Sequence, residues 1–280
     1  TGAITVDANG TTTVSAAVQA TGAGTITFGA TGTGPLTLSV ADPAYVAQTT
    51  GGNITFNRAV TLTQNTLIST GAGGGGDIAF AATAPISGTH ELTLTAGTGN
   101  VELASTAGTL AIPLTSLTVS SATLATFRNN ITTNGADGIN VTATTINLDG
   151  LTMTAGTDLG ADIDLNGNVT LTTGTASLSA IDDITVTGTV SGAQNLTVQT
   201  STAATSIIQF QSNVGTATLT PLGAITIANG YDVTFGGNVS AASITQDTGA
   251  NSTTFTGNVA TTGAILITDG YDITFSGTVN

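Results

Sequence analysis

Apolar and polar residues alternate in short bursts along the chain. Ile225 and Ile227, then Val233 and Phe235, then Val239 stand apart with Thr, Asp or Asn between them. A period of two sends one set of side chains to a buried face and the other to an exposed one, the pattern of a β-strand. The bursts are short and are cut by Asn-Gly, Asp-Gly and Gly-Gly pairs, which mark turns. No segment carries an apolar stripe at helical spacing, and Pro35, Pro43, Pro85, Pro113 and Pro221 fall at candidate corners. The pattern predicts an all-β chain.

The bursts also repeat. Val233–Val239 (VTFGGNV) returns as Thr253–Val259 (TTFTGNV) and Ile273–Val279 (ITFSGTV), and Gly223–Phe235 is echoed by Gly263–Phe275. Towards the N-terminus the motif weakens but keeps its skeleton at Ile208–Val214, Ile184–Val190 and Ile163–Val169. Fainter relatives occur at 127–131, 78–80, 54–60 and 26–28. The closing valines 169, 190, 214, 239, 259 and 279 are 21, 24, 25, 20 and 20 residues apart. A unit of about 20–25 residues predicts roughly 12 or 13 units.

A sandwich of hairpins has no need to repeat in sequence at a fixed interval. A solenoid must, because each coil stacks on the next with equivalent positions in register. The expected architecture is therefore a right-handed parallel β-helix over residues 1–280, one continuous solenoid. In it Phe210, Phe235, Phe255 and Phe275 form an interior column at a strand spacing of about 4.8 Å. Asn168, Asn213, Asn238 and Asn258 form a second column at a corner, their amides bonding to one another as in cross-β ladders. Thr1–Val6 resembles Thr262–Ile267, so coils are expected to continue beyond both ends, in the same polypeptide or by end-to-end association.

Composition narrows the function. Charged residues make up 6% of the chain and the formal charge is −14, with Arg58 and Arg128 the only Lys or Arg. Two cations cannot neutralise a nucleic-acid backbone, and an anionic membrane surface repels the chain. There is no Cys, so disulfides and thiolate metal sites are excluded. No apolar run is long enough for a membrane-spanning helix. The scarcity of charge has a cause in the repeat: a charge on an exposed strand position meets its like in the neighbouring coil.

Segments such as Glu91–Leu103 (ELTLTAGTGNVEL), Gly52–Phe56 and Asn195–Gln199 resemble filamentous-haemagglutinin-type repeats, a style shared with autotransporter passengers and other large bacterial surface proteins. The resemblance extends over essentially the whole chain. It implies a right-handed parallel β-helix, an extracellular or cell-surface location, and an adhesive or scaffolding role towards a glycan or surface receptor.

Candidate chemistry is sparse. Catalysis by paired carboxylates would draw on Asp162 with Asp164, or on Asp182 with Asp183, but Arg58, Arg128 and His90 lie far from them in sequence. The reading is a protein that is not an enzyme, with no cofactor. Calcium is the minor alternative: Asp158, Asp162, Asp164, Asp182 and Asp183 offer hard oxygen ligands. The glycine-rich run Gly71–Asp77 has the wrong spacing for a calcium repeat and reads as a turn. Tyr231–Asp232 and Tyr271–Asp272, 40 residues apart, form a candidate surface contact. Ice binding would require regular outward Thr-x-Thr arrays. Thr25–Thr27, Thr93–Thr95 and Thr185–Thr187 have the local form without recurring at the coil period, so no continuous Thr lattice is expected. The favoured function is a structural or adhesive extracellular fibre segment. A carbohydrate-binding or ice-binding β-helix comes second, and a polysaccharide-degrading enzyme third.

Overall fold

The computed structural model describes residues 2–40, 44–156, 160–201, 203–215, 220–249, 251–268 and 270–280. It is all-β, and the strands pair in parallel as a β-solenoid of about 11 coils. The chain divides into two compact units, Thr1–Gly135 with Asn140–Thr144 and Ala136–Ile139 with Thr145–Asn280. The expected 12 or 13 coils is an overcount. The 20-residue spacing of the last repeats does not hold in the N-terminal unit, where the stacked residues Ile4, Ile26, Ile54, Ile78, Val101 and Ala125 are 22, 28, 24, 23 and 24 apart.

In the N-terminal unit each coil contributes to three faces. The first stacks Ile4–Val6, Ile26–Phe28, Ile54–Phe56, Ile78–Phe80, Asn100–Leu103 and Leu124–Phe127. The second stacks Thr12–Val14, Leu36–Leu38, Val60–Leu62 and Ile86–Ser87. The third stacks Val18–Gln19, Tyr45–Gln48, Thr66–Ser69, Leu92–Thr95 and Leu117–Ser121. Alternation decides which side chains enter the core. Ile54 and Phe56 have no exposed surface, whereas Thr55 between them is half-buried.

The C-terminal unit uses the same scheme. Its Phe-bearing face begins with Ile163–Leu165, at the start of a strand running Ile163–Thr173, and continues through Ile184–Val186, Ile207–Phe210, Asp232–Phe235, Ser252–Phe255 and Asp272–Phe275. Val169, Val190, Val214, Val239, Val259 and Val279 stack one above the next on the second face. A third face carries Thr152–Ala155, Ala176–Ala180, Leu196–Gln199, Leu222–Asn229, the end of Val239–Gln246, and Ile265–Ile267.

All eight phenylalanines of the chain occupy equivalent inward positions on the Phe-bearing faces. Phe210, Phe235, Phe255 and Phe275 stack with ring centroids 5.1, 4.9 and 4.8 Å apart and planes within 9° of parallel. Phe28, Phe56 and Phe80 form a second stack at 4.8 and 4.3 Å. Strand spacing fixes these separations, and each contact adds about 0.5–1.5 kcal/mol beyond the area it buries. A turn motif also recurs. Ser87-Gly88 and Ser191-Gly192 end matching short strands, with glycine φ of +117° and +113°. A Cβ at either glycine would lie 2.2 Å from a carbonyl oxygen of the coil below, Leu62 or Leu171. Only glycine fits there.

Candidate functional site

Corners set the first constraint on any site. Where a coil turns, a backbone N–H points along the axis without a strand carbonyl to receive it, and such groups need partners. Asn and Asp supply them. The Oδ1 atoms of Asn213 and Asn238 accept from the backbone N–H of Asn238 and Asn258, each at 2.8 Å. Asn168 and Asn258 likewise accept from Thr189 and Thr278, at 3.1 and 2.9 Å. The Asn column thus bonds side chain to backbone, where amide-to-amide bonding had been expected. Thr189 and Thr278 add their hydroxyls to the same oxygens at 3.0 Å.

The aspartates do the same at the corner preceding the Phe-bearing strands. Asp162 accepts from the N–H of Asp183 at 2.9 Å, and Asp183 from Ile207 at 2.7 Å. Asn53 and Asp77 accept from Asp77 and Asn100 at 2.9 and 2.8 Å. Desolvation, reinforced by the neighbouring acids, raises the carboxyls of Asp162 and Asp183 above their ordinary value of 3.8. Asp164 stands on a half-buried, outward strand position opposite Thr185. Asp158, the remaining calcium candidate, lies outside the described residues. Among the described residues no group of three or more His, Cys, Asp or Glu side chains is arranged to hold a metal.

The two Tyr-Asp pairs do not meet. In register Asp232 and Asp272 are separated by Ser252. Asp232 is engaged by the Asn251 amide at 2.9 Å and by the backbone and hydroxyl of Ser252. Tyr231 is half-buried, whereas Tyr271 is 83% exposed.

Arg58 is 3% exposed. Its Nη1 donates to the carbonyls of Ala8 and Gly34 at 2.9 and 3.1 Å, and Nη2 to that of Val6 at 3.2 Å; Nε has no partner. One side chain on the third coil therefore ties down turns of the two coils before it. Gly29, at φ +78°, makes room, since a Cβ there would stand 3.0 Å from Arg58 Cγ and Cδ. Between two of the tethered carbonyls, Asp7 has its carboxyl lowered by the Thr31 hydroxyl, the backbone N–H groups of Gly32 and Thr31, and the charge of Arg58.

Arg128 has a different setting. Its Nε donates to Glu102 Oε1 at 2.7 Å, both side chains being roughly half-exposed. The pair borders a hollow of about 270 Å³ on the outer surface of the Phe-bearing face of the N-terminal unit. The outward column there reads Thr55, Ala79, Glu102, Thr126, and the small Ala79 leaves a depression between larger neighbours. Asp77 lines it from the corner. Sequence analysis treated Arg128 as isolated. The signal that identifies the pair is opposite charge at a separation of 26 residues, one coil.

Outward hydroxyls are also in register. On the second face of the N-terminal unit Thr13, Thr37, Thr61 and Ser87 align. Two residues further along, the Ser39 and Thr63 N–H groups bond to Val14 and Leu38 at 2.8 and 3.0 Å, which continues the register through Ser15, Ser39 and Thr63. The expectation of no continuous lattice fails here, because residues outside the Thr-x-Thr tripeptides build it. A single file, Thr152, Ser177, Thr197, Thr226 and Thr245, lines the third face of the C-terminal unit.

No family model matches the chain, and neither the curated proteins nor the solved structures contain a significant match to it.

Proposed function

We propose that the chain is a structural segment of an extracellular bacterial fibre or large surface adhesin, and that it catalyses no reaction. The observation that supports this reading is the use made of its side chains. All eight phenylalanines and the corner Asn and Asp residues serve coil-to-coil stacking, and the aspartates first considered for calcium or catalysis hold backbone N–H groups. In-register ladders of this kind make stability grow with the number of coils. Electron microscopy of the purified protein is the test. Elongated particles or thin filaments are expected; compact globules, or release of reducing ends from a polysaccharide panel, would overturn the reading.

The double file of hydroxyls favours a second reading, ordered-water or ice binding by that face. Its hydroxyls repeat about every 4.8 Å between coils and about every 6.6 Å along the strand. Inhibition of ice recrystallisation that disappears in Thr37→Lys supports it; inactivity of the parent protein removes it.

A further inference from the structure

We infer that the hollow over Ala79 is a binding site for one residue of a neutral glycan. The argument begins with the scarcity of charge. Of the two Lys or Arg residues in the chain, one is buried as a tether and the other, Arg128, stands at this hollow. A half-exposed ion pair contributes only about 0.2–1 kcal/mol to stability, so folding gains little from placing the rare cation there. The pair does fix a guanidinium and a carboxylate in a defined geometry beside a depression.

The chemistry around the hollow is mixed. Asp77 Oδ1 and Glu102 Oε1 are occupied by Asn100 N–H and Arg128 Nε. The second oxygen of each carboxylate has no partner among the described residues and accepts from hydroxyls. Arg128 and the hydroxyl of Thr55 supply donors. Sugar hydroxyls both donate and accept, which suits a site containing both kinds of group. Two carboxylates against one guanidinium, on a chain of charge −14, repel uronates and sialic acids. At about 270 Å³ the hollow is at the small end of ligand sites, with room for a single sugar residue. No aromatic side chain lines it, so binding is weak per site and gains strength only where several copies are presented together.

This inference goes beyond the structural role and can fail while that role stands. The test uses the intact protein on a printed array of neutral and acidic oligosaccharides, followed by isothermal titration with whichever glycan is retained. Ala79→Leu fills the depression from an outward position, and Arg128→Gln removes the donor. Retention of neutral glycans is expected, with affinity falling at least tenfold in Ala79→Leu and severalfold in Arg128→Gln at unchanged melting temperature. Should Ala79→Leu fold poorly, Arg128→Gln carries the test alone. No retained glycan, a preference for acidic glycans, or affinity unaltered in a folded variant would overturn the inference.

Discussion

In the C-terminal unit the stacked residues Ile163, Ile184, Ile208, Val233, Thr253 and Ile273 follow one another at 21, 24, 25, 20 and 20 residues; in the N-terminal unit the corresponding steps run from 22 to 28. Both units build a phenylalanine stack, a corner ladder of Asn or Asp, and a Ser-Gly turn. They differ in how irregularities are absorbed. The C-terminal unit keeps its turns short and takes up a defect inside the core. Thr253 stands where Val233 and Ile273 stand in adjacent coils, and Gln246 where Ile227 and Ile267 stand. Both are fully buried, and the Thr253 hydroxyl donates to Gln246 Oε1 at 2.7 Å. The N-terminal unit has longer turns and ties them with Arg58, which reaches across two coils. Core continuity tolerates a polar pair, whereas loose corners require a long side chain with several donors.

The largest expected effect comes from breaking what the units share. Phe255→Asp places a charge within the stack and should cost about 4 kcal/mol or more. Hydrogen exchange should show protection lost in the flanking coils of the C-terminal unit, and Phe56→Asp should do the same in the N-terminal unit. A cooperative melt unchanged from the parent would disprove the interior columns.

Arg58→Met tests the corner tether. It strands three carbonyls and should cost about 3 kcal/mol, seen as faster exchange confined to the first coils. The polar pair gives the contrasting result. Thr253→Val alone leaves Gln246 with a lost partner and should cost about 1–2 kcal/mol, while Thr253→Val with Gln246→Leu should restore stability or exceed it. Double-mutant denaturation curves measure the coupling; strict additivity would mean that the two sites do not compensate each other.

Corner ladders are worth less. Asn238→Ala orphans the N–H of Asn258 and should cost about 1 kcal/mol, and Asn238→Asp, which keeps the acceptor, should recover much of it. The smallest effect is in pH, and its sign differs between units. Asp162 and Asp183 have raised pKa values, so the folded C-terminal unit binds protons more readily than the unfolded chain. Their contribution improves as pH falls from above the folded values towards 3.8. Asp7 is lowered, so its contribution is complete above 3.8 and is lost as pH falls through its folded value. Melting temperatures of Asp162→Asn and Asp7→Asn against pH should therefore flatten slopes of opposite sign; parallel changes would exclude these assignments.

Period-two alternation and the recurring Ile-x-Phe and Asn-Val positions made the strand type, the stacked coil and the C-terminal phenylalanine positions legible in the sequence, because equivalent residues in a parallel stack face the same surroundings. The coil count was not legible. Turn length is almost free thermodynamically, so the spacing of the most regular repeats does not bind the others. The hollow was hidden for a related reason: Asp77, Ala79, Glu102 and Arg128 become neighbours only once each coil length is known.

The sequence by itself determined the local rule, a half-buried strand cut by glycine turns, and the exclusions that follow from two cations and no cysteine. The tertiary structure alone decided which coil lies above which. From that came the burial of Arg58, the pairing of Thr253 with Gln246, the alignment of Thr13, Thr37 and Thr61, and the oxygen acceptors assigned to the corner amides. Periodicity encodes which face a side chain takes. Register between coils depends on the summed length of every turn, and only the folded stack fixes that sum.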